Sequence, residues 1–267
     1  MSTARSITAL LVAFITLFAT IPTARAEISF SVSPIRIDMT GDSGGSYTDA
    51  IEVNNEGKEK VRIKVSMQDW ELTEDGIPIF RKAGTNSRSC TGWLKINPVD
   101  FQLQPGEKKT VRYSVAIPAG TAVGGYWGAF IFETVPHVEP GQKTRAVAIK
   151  GNIASIVYVT VGKPKPVAEI IDMGHAEKKE GSAITVRLQN TGCPVQFRVK
   201  GSVAINGKDG KEVRTIPLPD APVLAGSTRT FSLPIGEKLP AGSYTAVASV
   251  DAGGDALLAG EIAFTVK

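Results

Sequence analysis

Apolar and polar residues alternate in short runs along most of the chain after position 27. In Val61-Arg62-Ile63-Lys64-Val65 every second residue is apolar, so a strand there has one apolar and one charged face. No window of about 11 residues after Glu27 has a convincing helical period. Turn residues such as Glu74-Asp75-Gly76 and Asn206-Gly207 separate the runs. The pattern predicts strands at 28–39, 49–54, 61–70, 93–96, 109–117, 126–134, 146–161, 167–173, 183–190, 198–205, 211–216, 229–233, 242–250 and 261–266.

These strands fall into two sets on either side of Gly162-Lys163-Pro164-Lys165-Pro166. Two prolines alternating with lysines do not continue a strand ladder, and they stiffen the connection. Many short strands separated by turn signals are typical of β-sandwiches. The sequence therefore predicts an all-β fold of two immunoglobulin-like β-sandwich domains, at 27–161 and 167–267, joined by a short Pro/Lys linker at 162–166.

The first 26 residues have the pattern of a signal peptide. Arg5 supplies a positive charge, positions 7–20 form an apolar run, and Ala24-Arg25-Ala26 offers small residues for cleavage before Glu27. Later in the chain no run approaches the ~20 apolar residues that a membrane-spanning helix needs. We expect residues 1–26 to be cleaved and the mature chain to be exported to the periplasm with no membrane span; the alternative is a retained N-terminal anchor.

The charge distribution argues against a nucleic-acid-binding protein. Without Arg5 and Arg25, the 30 basic residues become 28 against 26 acidic ones, a net charge of +2. The signs alternate, as in Glu56-Gly57-Lys58-Glu59-Lys60, whereas nucleic-acid-binding proteins concentrate basic residues on one face. We expect a solvated surface and no nucleic-acid partner.

Residues that could carry chemistry are few. The two histidines, His137 and His175, are expected in turns without zinc-site neighbours, so we predict no metal, no cofactor and no enzyme activity. Cys90 and Cys193 fall in different predicted domains, and two free thiols are favoured over an inter-domain disulfide. A group of aromatic residues could form a platform for carbohydrate binding, but burial in the sandwich core is the favoured interpretation. The members of this group are Tyr126, Trp127, Phe130 and Phe132.

The first half contains an opening strand that ends in an arginine, two further strands ending in Trp70, and a stretch ending in leucine-x-proline-glycine before a Val-Arg strand. These stretches lie at 30–36, 51–55, 65–70 and 94–106. In their order and spacing they resemble the N-terminal domain of periplasmic pilus-assembly chaperones of the P-pilus and type 1 pilus kind. The second half resembles the family only in being a β-sandwich.

The resemblance implies a mechanism and partners. Such chaperones bind pilus or surface-protein subunits whose incomplete immunoglobulin-like folds lack a strand, and they lend an edge strand until another subunit replaces it. An outer-membrane usher is implied as a further partner. In the family, an arginine of the first strand and a lysine of the last strand of domain one hold the subunit's carboxylate. The arginine corresponds to Arg36, which is otherwise an exposed strand residue, whereas Ser155 stands at the lysine's place.

The predicted donor strand is 146–161. Its branched residues share one parity, which suits either a partner's groove or this protein's own core. Core is the favoured interpretation for the C-terminal half of the run, and the two interpretations are balanced for Val147 and Ile149. The predicted partner-binding residues are Arg36, Val147, Ile149 and Ile153.

A second class of function stays open. The chain could be an exported immunoglobulin-like structural or adhesive module that binds cell-wall polymer or a surface protein. An end-to-end arrangement with covered edges, or an exposed aromatic platform, would favour that alternative.

Overall fold

Strands make up nearly all the regular structure of the described chain. The structure is a computed structural model, and it describes residues 29–135, 151–178, 181–191, 196–253 and 256–267. Within these ranges the helical structure is one 3-10 turn, Thr91–Trp93. No helix in the described residues is long and apolar enough to cross a membrane.

Two sheets form an N-terminal sandwich. The strands are β1 (Phe30–Ser33), β2 (Arg36–Gly41), β3 (Ser46–Asn55), β4 (Val61–Leu72), β5 (Pro78–Lys82), β6 (Leu94–Asn97), β7 (Asp100–Leu103), β8 (Lys108–Ala116), β9 (Gly124–Val135) and β10 (Asn152–Val161). One sheet has the order β1-β3-β8-β6 and the other has the order β2-β10-β9-β4-β5, with β7 also paired to β4.

The remaining strands form a C-terminal sandwich. They are β11 (Ala168–Lys178), β12 (Gly181–Asn190), β13 (Phe197–Arg198), β14 (Lys200–Gly207), β15 (Glu212–Pro217), β16 (Pro222–Val223), β17 (Thr228–Pro234), β18 (Gly242–Asp251) and β19 (Leu258–Val266). The larger sheet has the order β15-β14-β18-β19, and it is accompanied by a sheet of order β11-β12-β17 and by the short pair β13-β16.

Each sandwich has its own apolar core. Ile63, Phe130 and Val157 are among the buried residues of the first, and Ile184 and Val203 are among those of the second. The predicted all-β fold with two sandwiches is confirmed. No strand is assigned between Val161 and Ala168, and the proposed domain limits 27–161, 162–166 and 167–267 stay a prediction.

The structure corrects several details of the predicted strands. The first predicted strand, 28–39, is two strands in different sheets, because Pro34 interrupts the ladder between β1 and β2. The predicted strand 198–205 is likewise divided between β13 and β14, and β5, β7 and β16 were not predicted as separate strands. The expected turn at His175 is wrong: this residue lies within β11, and its ring stacks on Phe264 with centroids 4.4 Å apart.

A third apolar cluster, called the interface cluster below, joins the two sandwiches. Trp70, Trp127 and Tyr158 contribute to it from the outer face of the β2-β10-β9-β4-β5 sheet, and Leu224 contributes from the loop before β17. The even-numbered positions Ala154 and Ile156 pack against the same cluster. The two faces of β10 therefore have different neighbours: one faces the N-terminal core and the other lies toward the C-terminal sandwich.

Candidate functional site: an open strand edge

One edge of β10 is open at the beginning of the strand. β10 pairs antiparallel with β9 along its whole length, from Asn152 opposite Glu133 onwards. Its parallel ladder with β2 begins only at Ile156, opposite Arg36. Residues 152–155 therefore have β9 on one side and no paired strand on the other, within the part of the chain that the structure describes.

The direction of the backbone groups follows from the register. The amide of Thr134 donates to the carbonyl of Gly151 at 3.0 Å, and the amide of Ile156 donates to the carbonyl of Ile35 at 2.9 Å. In an antiparallel pair these directions alternate from residue to residue. The backbone groups of Asn152 and Ala154 thus point away from β9, toward the open edge.

Two other edge strands, β5 and β15, carry features that discourage pairing. β5 ends in Arg81 and Lys82 after starting at Pro78, and β15 is bounded by Glu212 and Pro217. Residues 152–155 contain neither a charged side chain nor a proline. This short segment is therefore suited to accept another strand.

The corner between β1 and β2 is attached to β10 by Ser155. The Ser155 side chain is fully buried, and its hydroxyl donates to the Pro34 carbonyl at 2.7 Å. The resemblance assigns a lysine to this position. Here Ser155 instead forms a hydrogen bond within the protein, and this bond holds the β1–β2 corner beside the open edge.

The predicted partner-binding residues have different surroundings. Ile153 lies next to the open edge, but its half-buried side chain packs against the N-terminal core. Val147 and Ile149 lie outside the described residues. Val157, Val159 and Val161 are buried in the same core, as favoured for the C-terminal half of the run.

Arg36 lies where the parallel ladder starts. Its Nε and Nη2 atoms each lie 2.7 Å from a carboxylate oxygen of Asp38, and its Cζ lies 5.6 Å from the centre of the Tyr158 ring. The side chain is 39% exposed. The guanidinium is thus accessible to solvent, but its two hydrogen-bond donors already contact the carboxylate of Asp38 in the same strand.

Further charges approach this face from the C-terminal sandwich. Burial raises the pKa of Tyr158 to about 12, although the cationic Arg36 and Arg198 oppose that rise. Arg198 Nε donates to Asp220 at 2.6 Å. That hydrogen bond is the main cause that holds the pKa of Asp220 below its usual value, and Arg36 acts in the same direction. The β10 face is therefore bordered by cations of both sandwiches.

The aromatic group and Cys90 are internal. Tyr126, Phe130 and Phe132 are buried in the N-terminal core, as the core interpretation predicted. For Trp127 that interpretation is wrong, because this residue is buried in the interface cluster between the two sandwiches. Cys90 is a buried free thiol, and Cys193 lies outside the described residues. Within the described ranges, no group of three or more His, Cys, Asp or Glu residues is arranged to hold a metal ion.

Sequence reasoning missed Asn152 and Tyr158 as parts of this site. Asn152 is the polar residue with which β10 begins, and strand alternation does not show that it lies at an open edge. The position of Tyr158 against the second sandwich depends on tertiary packing, which strand alternation does not reveal.

Comparison with known proteins gives similarity in structure only. No family model matches the sequence, and no curated protein matches it. The class 5 fimbriae chaperone CfaA aligns over 90% of this chain and 99% of its own, with 13% identity and a TM-score of 0.47.

Two complexes are also similar. The Salmonella enterica SafA pilin–SafB chaperone structure aligns over 91% of this chain and 99% of that chain, with 15% identity and a TM-score of 0.45. The Acinetobacter baumannii CsuC–CsuE chaperone–tip subunit complex aligns over 88% and 98%, with 14% identity and a TM-score of 0.45. These three alignments extend over most of the chain.

Proposed function

We propose that this protein is a periplasmic chaperone-like protein that binds pilus or surface-protein subunits by lending them the open edge of β10. The observation that carries the proposal is the position at which the β2 ladder starts, because no strand among the described residues pairs with the outward backbone groups of Asn152 and Ala154. An incoming strand completes the sheet by main-chain hydrogen bonds.

Both faces of β10 pack against other parts of the protein. Ile153 and Val157 anchor one face of β10 in the N-terminal core, and Ile156 and Tyr158 pack the other face against the interface cluster. The strand is therefore held in an extended conformation before a partner arrives, which reduces the entropy lost on binding. We propose that the lent segment continues through Val147 and Ile149, whose branched side chains would enter the partner's groove.

Arg36 completes the proposed site. Its guanidinium lies beside Asp38 at the start of the ladder, so a partner carboxylate would have to displace an existing ion pair. Exposed ion pairs are worth about 0.2–1 kcal/mol, which makes such an exchange inexpensive. The subunits are the proposed partners, and an usher is a further proposed partner.

The test is co-purification of a β-rich subunit with the tagged protein from a periplasmic extract. Asn152→Pro removes an amide hydrogen that points to the open edge and leaves the hydrogen bonds to β9 in place. We expect this variant to lose the subunit, whereas Asn152→Ala, which keeps the amide, retains it. Val147→Asp/Ile149→Asp should also lose the subunit, and Arg36→Ala should weaken its capture.

Circular dichroism establishes that each variant is folded before capture is scored. Equal capture by the wild type, Asn152→Pro and Val147→Asp/Ile149→Asp would overturn strand lending. Loss of capture in these variants with full retention in Arg36→Ala would leave strand lending in place and remove the carboxylate anchor from the proposal.

A further inference from the structure

The turn between β4 and β5 reaches the C-terminal sandwich. The amide of Gly76 donates to the Thr73 carbonyl at 2.9 Å, and the amide of Thr73 donates to the Ile77 carbonyl at 3.0 Å. The Thr73 hydroxyl also accepts a hydrogen bond from the Ile77 amide at 3.0 Å. Gly76 has a φ of 82°, a conformation that favours glycine. These bonds give the turn a fixed shape.

Glu74 attaches this turn to the other sandwich by both its main chain and its side chain. Its carbonyl accepts a hydrogen bond from the amide of Thr230 at 2.7 Å. Its carboxylate lies 3.1 Å from Nη2 of Arg187. Thr230 belongs to β17, an edge strand of its sheet, so the turn covers an amide that an edge strand would otherwise expose.

Arg229 completes the contact from the C-terminal side. Its guanidinium lies directly over Gly76, so that a Cβ atom added at Gly76 would overlap it. Nη1 donates to the Pro222 carbonyl at 3.1 Å, and Cζ lies 5.5 Å from the centre of the Phe231 ring. Its Nε is buried with no hydrogen-bond partner among the described residues, and burial lowers the pKa of this guanidinium. The Arg229 guanidinium therefore contacts Gly76 of the N-terminal sandwich as well as Pro222 and Phe231 of its own sandwich.

An apolar contact lies beside these polar ones. Leu224 is 3% exposed and belongs to the interface cluster rather than to the C-terminal core. The same cluster contains Trp70, whose ring meets Tyr158 edge to face with centroids 5.7 Å apart. Trp70 lies on β4 shortly before the turn, so the polar and apolar contacts act on the same hairpin.

We infer that the turn Thr73–Ile77 is a latch that fixes the position of the C-terminal sandwich against the N-terminal one, with Arg229 seated on Gly76 as its positioning residue. The inference concerns how the sandwiches are held together and does not depend on strand lending. Glycine at position 76 favours the latch in two ways: it adopts the positive φ without strain, and it leaves space for the guanidinium, which an added methyl group would displace. The two effects can be separated by experiment.

The test compares two glycine variants of the mature chain. Gly84 has a φ of 78° and open space around it, so Gly84→Ala introduces a similar backbone strain without touching Arg229. Spin labels attached to cysteines that replace the exposed Lys58 and Lys208 report the distance between the sandwiches. The background variant Cys193→Ser leaves the buried Cys90 as the single native thiol. We expect a narrow distance distribution for the wild type and Gly84→Ala, and a broader or displaced distribution for Gly76→Ala.

Two further variants keep the inference falsifiable. In Gly76→Ala/Arg229→Ala the added methyl group has no guanidinium to displace, so the distribution should match that of Arg229→Ala alone. Leu224→Glu opens the apolar part of the contact and should broaden the distribution without the glycine substitution. The latch is overturned if Gly76→Ala and Arg229→Ala both give the same narrow distribution as Gly84→Ala, whatever the result for Leu224→Glu.

Discussion

At the scale of single residues, the Asp69 carboxylate organises the loop that follows β5. Asp69 is 1% exposed, and one carboxylate oxygen accepts the amide hydrogens of Thr85 and Asn86, both at 2.7 Å. The other oxygen accepts the hydroxyls of Ser89 and Thr91. Burial opposes ionisation, but the hydrogen bonds together outweigh it and hold the pKa of Asp69 below its usual value. The side chain is a structural anion.

Asp69→Asn should lower the free energy of unfolding by about 1–3 kcal/mol at pH 7, because two amides and two hydroxyls lose their charged acceptor. The pKa of Asp69 is lower in the folded than in the unfolded chain. Its stabilisation is therefore present above the ordinary value near 3.8 and is lost as pH falls through the folded pKa. Denaturant unfolding between pH 7 and pH 2 tests this.

The exposed Asp49, which accepts a local hydrogen bond from the amide of Ala50, supplies the control substitution Asp49→Asn. The Asp69→Asn variant should differ less from the wild type at pH 2 than at pH 7, whereas Asp49→Asn should have little effect at either pH. A constant difference for Asp69→Asn across this range would contradict the assignment of an ionised Asp69.

Cys90 should be chemically inert in the folded protein. Burial raises the pKa of its thiol well above the usual range, and the nearby Asp69 carboxylate adds to the rise. In the Cys193→Ser background, iodoacetamide at pH 8 should leave the native protein unmodified and should alkylate one thiol after unfolding. Rapid alkylation of the native protein would show that Cys90 is accessible.

At the scale of elements, the sequence predicted the strands better than the sheets to which they belong. Alternation at 61–65 correctly identified the core-facing side of β4, and Glu74-Asp75-Gly76 correctly predicted a turn. The change of sheet at Pro34 could not be read from alternation, because the residues on both sides of the proline favour an extended conformation. The turn chemistry likewise did not show that the 73–77 turn contacts β17.

The tie between β10 and the β1–β2 corner can be measured through Ser155. Ser155→Ala leaves the Pro34 carbonyl without its donor and should cost about 1–3 kcal/mol of unfolding free energy. Ser66 of β4, in the same sheet, is the matched control because its buried hydroxyl has no hydrogen-bond partner among the described residues. Ser66→Ala should be nearly neutral in denaturant unfolding. Equal losses in the two variants would remove the special role of Ser155.

At the scale of the whole molecule, two sandwiches and the β10 strand were predictable, whereas the open edge was not. The branched residues of 146–161 indicated a strand with one apolar face, and Val157 and Val159 are indeed buried. Whether such a face meets the protein's own core or a partner depends on which strands pair with it. That pairing brings β2 and β10 together across more than 100 positions of sequence, and no local pattern encodes it.

Amide hydrogen exchange along β10 tests the central claim most directly. In the free protein, the amides of Asn152 and Ala154 should exchange fast, whereas those of Ile153 and Ser155, which point to β9, should be protected. On binding the subunit that co-purifies with the protein, the first two should become protected as well. Protection of Asn152 and Ala154 in the free protein, equal to that of Ile153 and Ser155, would show that the edge is covered and would contradict the account.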